Sequence, residues 1–306
     1  MGMRSVCAAI SLLGCICLAG DAGPSTGPGF SRPDPVTAPS GTGLDLETQL
    51  LPDSPRFEFK AVSIAEWERR AFLKTHPHLD DVFVLGERLI FSVRYGPIRA
   101  GEATMSIGGI EVIDGDSCFH IVTTARSNSF FSTFYFVNDR VESFIDTRYL
   151  LSRRFEKHLI EGDYRNNTVV TMDQRNHLAI HDDGRIFEMK PRSHDLLSAF
   201  YEVRARHPME PGDGFDLESH VDRKNYPIHV KVHRRERIKV PAGEFDCLVV
   251  EPVMRSEGLF KHQGQLMIWL TDDRRRIPVQ MKSKLPIGAI SVVLVDVDGR
   301  QEWETG

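Results

Sequence analysis

The sequence predicts a mainly β protein, a large curved antiparallel sheet or partly closed barrel with one N-terminal and one central helix. Three observations lead there. From Glu87 onward apolar residues fall into many short runs, several of them alternating with a period of two. Turn residues such as Gly162-Asp163, Asp183-Gly184 and Pro241-Ala242-Gly243 separate the runs at short intervals, with no βα rhythm. Helical spacing shows in two places, after Ser63 and after Ser193.

The chain opens with Arg4, an apolar run from Val6 to Gly20 and the small residues Ala19-Gly20-Asp21-Ala22. This is the pattern of a cleaved secretory signal over residues 1–22, since about 15 apolar residues are short for a membrane span. Leu12-Leu13-Gly14-Cys15 also resembles a bacterial lipobox, which would lipidate Cys15. Both processing routes stay open. Residues 23–55 are rich in Pro, Gly, Ser and Thr and are expected to be a disordered linker, with too little apolar surface to offset chain entropy. The remainder, 56–306, is expected to be one antiparallel β domain. Ser63-Ile64-Ala65-Glu66 is a capping box, and Ile64, Trp67, Ala71 and Phe72 follow at helical spacing, with an end expected by His76 because Pro77 follows.

Period-two alternation then takes over, with Leu89, Phe91, Val93 and Tyr95 on one face. Gly96-Pro97 opens a turn, and Ala103, Met105 and Ile107 continue the same face in a second strand. Gly96, Gly101 and Gly243 are expected at positive φ in turns. Further strands are expected near 118–125, 135–145, 151–160, 167–172, 177–181 and 185–189. A helix over 193–205, capped by Ser193, interrupts them. Strands resume near 215–221, 228–240, 245–252, 265–270, 278–283 and 289–295.

A formal charge of −5 with both signs interspersed excludes the basic face that nucleic acid requires. Three of five cysteines lie in the signal, leaving Cys118 and Cys247. In an oxidising compartment they can form one disulfide or remain two buried thiols.

Residues Gly86 to Ala103 (GERLIFSVRYGPIRAGEA) resemble the opening of a bacterial exported family known as domain of unknown function 3108. Val240-Pro241-Ala242-Gly243-Glu244-Phe245-Asp246-Cys247 resembles its second familiar feature, and Ser143-Phe144-Ile145-Asp146 fits its strand ending in Asp. The likeness spans roughly 80–300. It implies an exported β fold and no particular chemistry.

Catalytic signatures for serine nucleophiles, zinc proteases and phosphate loops are absent, so no catalytic residue, metal or cofactor is expected. His76, His78, Asp80 and Asp81 carry metal-type side chains, but a polar junction between the helix and the first strand is the expected reading. His229 and His233 lie about 13 Å apart on a strand, too far for joint ligation. Glu156, Glu161 and Asp163 offer carboxylates with nothing to mark a pair. The most unusual stretch is Ser127 to Phe136, where Phe130, Phe131 and Tyr135 are candidates for contacting a ligand and Phe134 is expected in the core. The functional expectation is an exported protein of the periplasm or outer membrane that binds an apolar or glycan ligand or a protein partner without catalysis. A polysaccharide hydrolase and a structural outer-membrane lipoprotein are the alternatives. Membrane contact is expected through a lipid anchor alone.

Overall fold

The computed structural model describes residues 64–254, 266–285 and 288–298. The signal with Cys15, the linker and the Ser63 cap lie outside the described residues. Two meanders make up the sheet. The first runs through β1 (Arg88–Tyr95), β2 (Ile98–Ile113), β3 (Asp116–Ser127), β4 (Asn138–Asp146), β5 (Ser152–Glu161), β6 (Tyr164–Asp173), β7 (Leu178–His181) and β8 (Ile186–Glu188). The second runs through β9 (Gly214–Val221), β10 (Lys224–Val240), β11 (Gly243–Met254), β12 (Leu266–Thr271), β13 (Pro278–Leu285) and β14 (Gly288–Asp298). Antiparallel pairing of β1 with β14 joins them into one 14-stranded sheet whose two edges are β8 and β9.

Alternation decides which face turns inward. Leu89, Phe91 and Val93 are buried; Met105 lies across from Leu89 and Ala103 across from Phe91, and Ile107 is buried further along β2. Together with inward residues of most other strands they form one large core cluster, while Val170, Met172, Ala179 and Met189 at the β6–β8 end form a small separate one. Gly96 does take a left-handed φ of 55° in its turn, and Gly243 has φ 144°. Gly101 has another role. It sits within β2, where an added Cβ would lie 2.1 Å from the Arg126 carbonyl oxygen, so the close approach of β3 excludes any side chain.

Four helices are found among the described residues: α1 (Ile64–Thr75), α2 (Leu79–Val82), α3 (Ser129–Ser132) and α4 (Leu196–Ala205). Helix α1 ends where Pro77 requires. It docks through Phe72 and His76, one turn apart with stacked rings, while Trp67 and Ala71 of the expected stripe are exposed. His76 Nε2 lies 2.8 Å from Glu202 of α4, pinning the two helices together. Helix α4 is buried over all ten residues, charged ones included. Asp195 caps it in place of Ser193, accepting from the Leu197 and Ser198 amides, because its carboxylate reaches two of the amides a helix start leaves unpaired. Arg204 is balanced inside by Glu87 at 3.1 Å, with its guanidinium over the Tyr201 ring.

The chain leaves the sheet at β8, forms α4 inside, and rejoins at β9 on the opposite edge. Those edges face each other across a seam, where the one backbone bridge among the described residues runs from His194, between β8 and α4, to Ser219 of β9. Side chains close the rest: Arg223 to Asp183 at 2.7 Å, and Asn225 to the Glu188 carbonyl at 2.9 Å. The barrel is therefore partly closed.

Cys118 and Cys247 are both free and buried, in β3 and β11. Five strands of the sheet order lie between these two, so the disulfide that the sequence left open does not form. Burial pushes both thiols up to about 12, which leaves them unreactive. Among the described residues no helix is long and apolar enough to cross a membrane.

Candidate functional site

Opposite the point where α4 begins, strands β5, β6, β7 and β9 enclose a cavity of about 20 Å³, room for one water-sized group. Its walls combine apolar Phe155, Val170 and Met172 with polar Lys157, His181, His220 and Asp222. Lys157 is almost wholly buried and pairs with Asp222 at 2.9 Å, so the two charges cancel. Asp195 also lines the cavity, and burial raises its pKa. It is committed elsewhere, to the α4 amides and to the Ser143 hydroxyl at 2.6 Å.

Two histidines face each other across the seam with ring centroids 6.1 Å apart, and both are at least 95% buried. Burial, with the nearby Arg223, pushes His181 down to about 4; burial also lowers His220. Both rings are therefore neutral at pH 7. The Asn225 amide donates to the Glu188 carbonyl, which turns its oxygen toward His220 Nδ1 at 3.0 Å. That oxygen fixes the proton on Nδ1 and leaves Nε2 with a lone pair. Among the described residues His220 bonds Asn225 through Nδ1 while its Nε2 has no partner, and neither ring nitrogen of His181 has one. Buried polar atoms are normally paired, so these three nitrogens have hydrogen-bonding capacity that a water or a ligand group in the cavity can take up. A group that fits must donate a hydrogen to His220 and can exchange hydrogen bonds with His181.

The aromatic segment forms something other than the strand expected to begin at 135. Asn128 caps the one-turn helix α3, its side chain accepting from the Phe131 amide. Phe131 and Tyr135 pack against the core, with Tyr135 lying over Gly162. Phe130 and Phe134 are 61% and 69% exposed and contact each other edge-on, and Phe136 is also exposed. Phe134 thus stands outside the core where the sequence pattern placed it, because β4 begins only at Asn138 and the preceding residues bulge outward.

The other sequence candidates do not converge. His76 is buried against Glu202, while His78 turns to Asp81 at 3.5 Å, so no shared metal position forms. His229 and His233 pair separately with Asp216 and Glu251. Glu156 and Glu161 are five apart on one strand and therefore point to opposite faces, with Asp163 in the turn beyond. Glu156 instead lies opposite Glu142 on β4, and His158 brings a third ligand-type atom within 4.8 Å. Arg140, His120 and Arg154 already hold these carboxylates, and those contacts outweigh burial and keep Glu142 ionised. The cluster is an ion-pair network that offsets two like charges facing each other across strands.

Lys157, His181, His220 and Asp222 escaped sequence reasoning. They come from three strands and the β9–β10 turn, and no local spacing announces them.

A sequence profile of the family described as Protein of unknown function (DUF3108) matches residues 90–295. A search of the curated proteins finds no match. Among solved structures, a β-barrel-like protein of domain of unknown function DUF1849 from Brucella abortus is similar at 10% identity and a TM-score of 0.48, over 72% of this chain and 100% of that one. The hypothetical lipoprotein YmcC from Escherichia coli is similar at 9% identity and a TM-score of 0.27, over 76% and 96% of the two chains. The hypothetical protein CT021 from Chlamydia trachomatis is similar at 7% identity and a TM-score of 0.33, over 76% and 95%.

Proposed function

The chain belongs to the DUF3108 family of proteins of unknown function, and we propose that it is an exported, non-catalytic binding protein of the cell envelope whose seam takes a hydroxyl-bearing ligand of the glycan class. The observation that carries this reading is the pair of buried, neutral histidines whose ring nitrogens lack partners among the described residues, at a cavity where the sheet's edges are held by side chains. A hydroxyl both donates and accepts, which is what neutral imidazoles call for, and it fits the water-sized space. An anion would meet the lone pair of His220, and the Lys157–Asp222 pair offers it no net charge. The ligand's body would lie in the seam, against the Phe155 ring and the aliphatic wall, where sugar faces pack well. Catalysis is disfavoured because the two carboxyl groups lining the cavity, Asp195 and Asp222, already serve as helix cap and ion-pair partner. Export is supported by the signal pattern at residues 1–22.

Calorimetric titration with a panel of neutral envelope oligosaccharides tests the reading. Binding is expected to fall at least tenfold in His220→Phe and His181→Phe, which fill the cavity and remove the polar atoms, while the melting temperature is kept. Absence of any saccharide binding by the wild-type protein, or equal binding by both variants, would overturn it.

A further inference from the structure

A second surface, at one end of the barrel, is built for a different contact. The β1–β2 turn, the 128–137 segment and the β5–β6 turn are tied into one rim. Asn128 donates to the Arg99 carbonyl at 2.7 Å, and the Gly162 amide donates to the Phe136 carbonyl at 2.7 Å. Exposed on this rim are Phe130, Phe134, Phe136 and, on the neighbouring turn, Ile98. Their rigidity is fixed from beneath by the buried sides of Phe131 and Tyr135. A fixed apolar ridge of this kind loses little conformational freedom when covered.

Charge decides what covers it. Arg94, Arg99, Arg126 and Arg165 lie along the same rim. Arg94 donates to the Pro97 carbonyl, Arg126 to the Asn138 side chain, and Arg165 to the Gly162 and Tyr164 carbonyls. None of these three pairs with a carboxylate among the described residues, and Arg99 meets Glu102 at 3.4 Å. Four arginines thus stand against two exposed carboxylates, Glu102 and Asp163, with Asp139 and Glu161 buried beneath the rim, on a chain whose net charge is −5. A second copy of the same rim would bring like charges together. An aromatic ridge flanked by arginines is instead the composition of a surface that sits in the headgroup layer of a bilayer, the rings among the acyl boundary and the guanidiniums on phosphates.

We propose that this rim docks the protein on an anionic lipid surface, independently of the seam and of any lipid on Cys15. Hydrogen exchange on the full chain tests it with a local readout, so that the apolar N-terminus does not confuse the result. Vesicles of phosphatidylcholine containing phosphatidylglycerol should slow exchange at least threefold in residues 96–99, 128–136 and 162–165, leaving the β3–β4 interior unchanged. Pure phosphatidylcholine vesicles should give much weaker protection. Phe130→Ser/Phe134→Ser should abolish the protection, and Arg126→Gln and Arg165→Gln should each weaken vesicle binding roughly fivefold. Absence of protection on anionic vesicles overturns the proposal, as does equal protection on neutral ones. Protection that grows with protein concentration without vesicles would identify a second copy as the occupant and overturn it as well.

Discussion

Burial holds His181, His194 and His207 near a pKa of about 4, with Arg223, Arg192 and Arg276 adding repulsion or, for His194, Glu202 opposing it. A base whose pKa is lowered by folding takes up protons more readily when unfolded. Its contribution is therefore complete above pH 6.5 and is lost as the pH falls toward 4. Glu202 behaves differently. Its burial favours the neutral form, but the hydrogen bond and charge of His76, with His194 and Arg206, hold it well below the usual carboxylate range. Its contribution disappears only below the ordinary carboxylate pKa. The melting temperature is expected to fall steadily from pH 7 to pH 4.5, before carboxylate protonation begins in earnest. His194→Gln should flatten that slope; a flat wild-type profile over the same range would show that these rings are not held neutral.

At the scale of elements, the segment from Ser127 to Phe136 shows how composition misleads when the period is short. Alternation of Phe134 and Phe136 reads as a strand entering the core, yet the Asn128 cap starts a helical turn and the chain reaches β4 only at Asn138. The two readings give different stabilities. Phe134→Ala should change stability by less than about 0.5 kcal/mol, as exposed positions do. Phe131→Ala, half-buried against the core, should cost roughly 1–3 kcal/mol, short of the ~3–5 kcal/mol of a fully buried ring. Denaturant melts of the two variants measure this, and a larger loss at Phe134 would place that ring inside. Helix α1 teaches the same lesson. Its existence and its end at Pro77 follow from local chemistry, but its docking face is set by His76 reaching Glu202, a partner 126 residues away.

On the scale of the whole molecule, the two meanders are held together continuously through β1 and β14, and at the far side by a seam of side chains. Backbone pairing is cooperative along a sheet, whereas a seam with one bridge among the described residues opens at lower free energy. Amides of β7 and β8 are therefore expected to exchange faster than those of β2 and β3. Asp183→Ala, which removes the carboxylate holding Arg223, should widen that difference. Mass-resolved hydrogen exchange checks it, and equal protection of β7–β8 and β2–β3 would mean that the seam is not the weak line.

The sequence by itself determined the strands, their order of faces and the two long helices, because alternation, turn residues and proline act within a few residues of chain. It also carried the family resemblance, through the 86–103 and 240–247 stretches that now belong to strands β1, β2, β10 and β11. Tertiary structure alone decided where the sheet edges meet, that α4 lies inside, and that Cys118 and Cys247 stay apart. It alone assembled Lys157, His181, His220 and Asp222 around one cavity. The two histidines owe their burial, their unpaired nitrogens and their neutral state, and Lys157 its ion pair with Asp222, to a seam formed by segments far apart in the chain, and desolvation of that kind leaves no mark on local sequence.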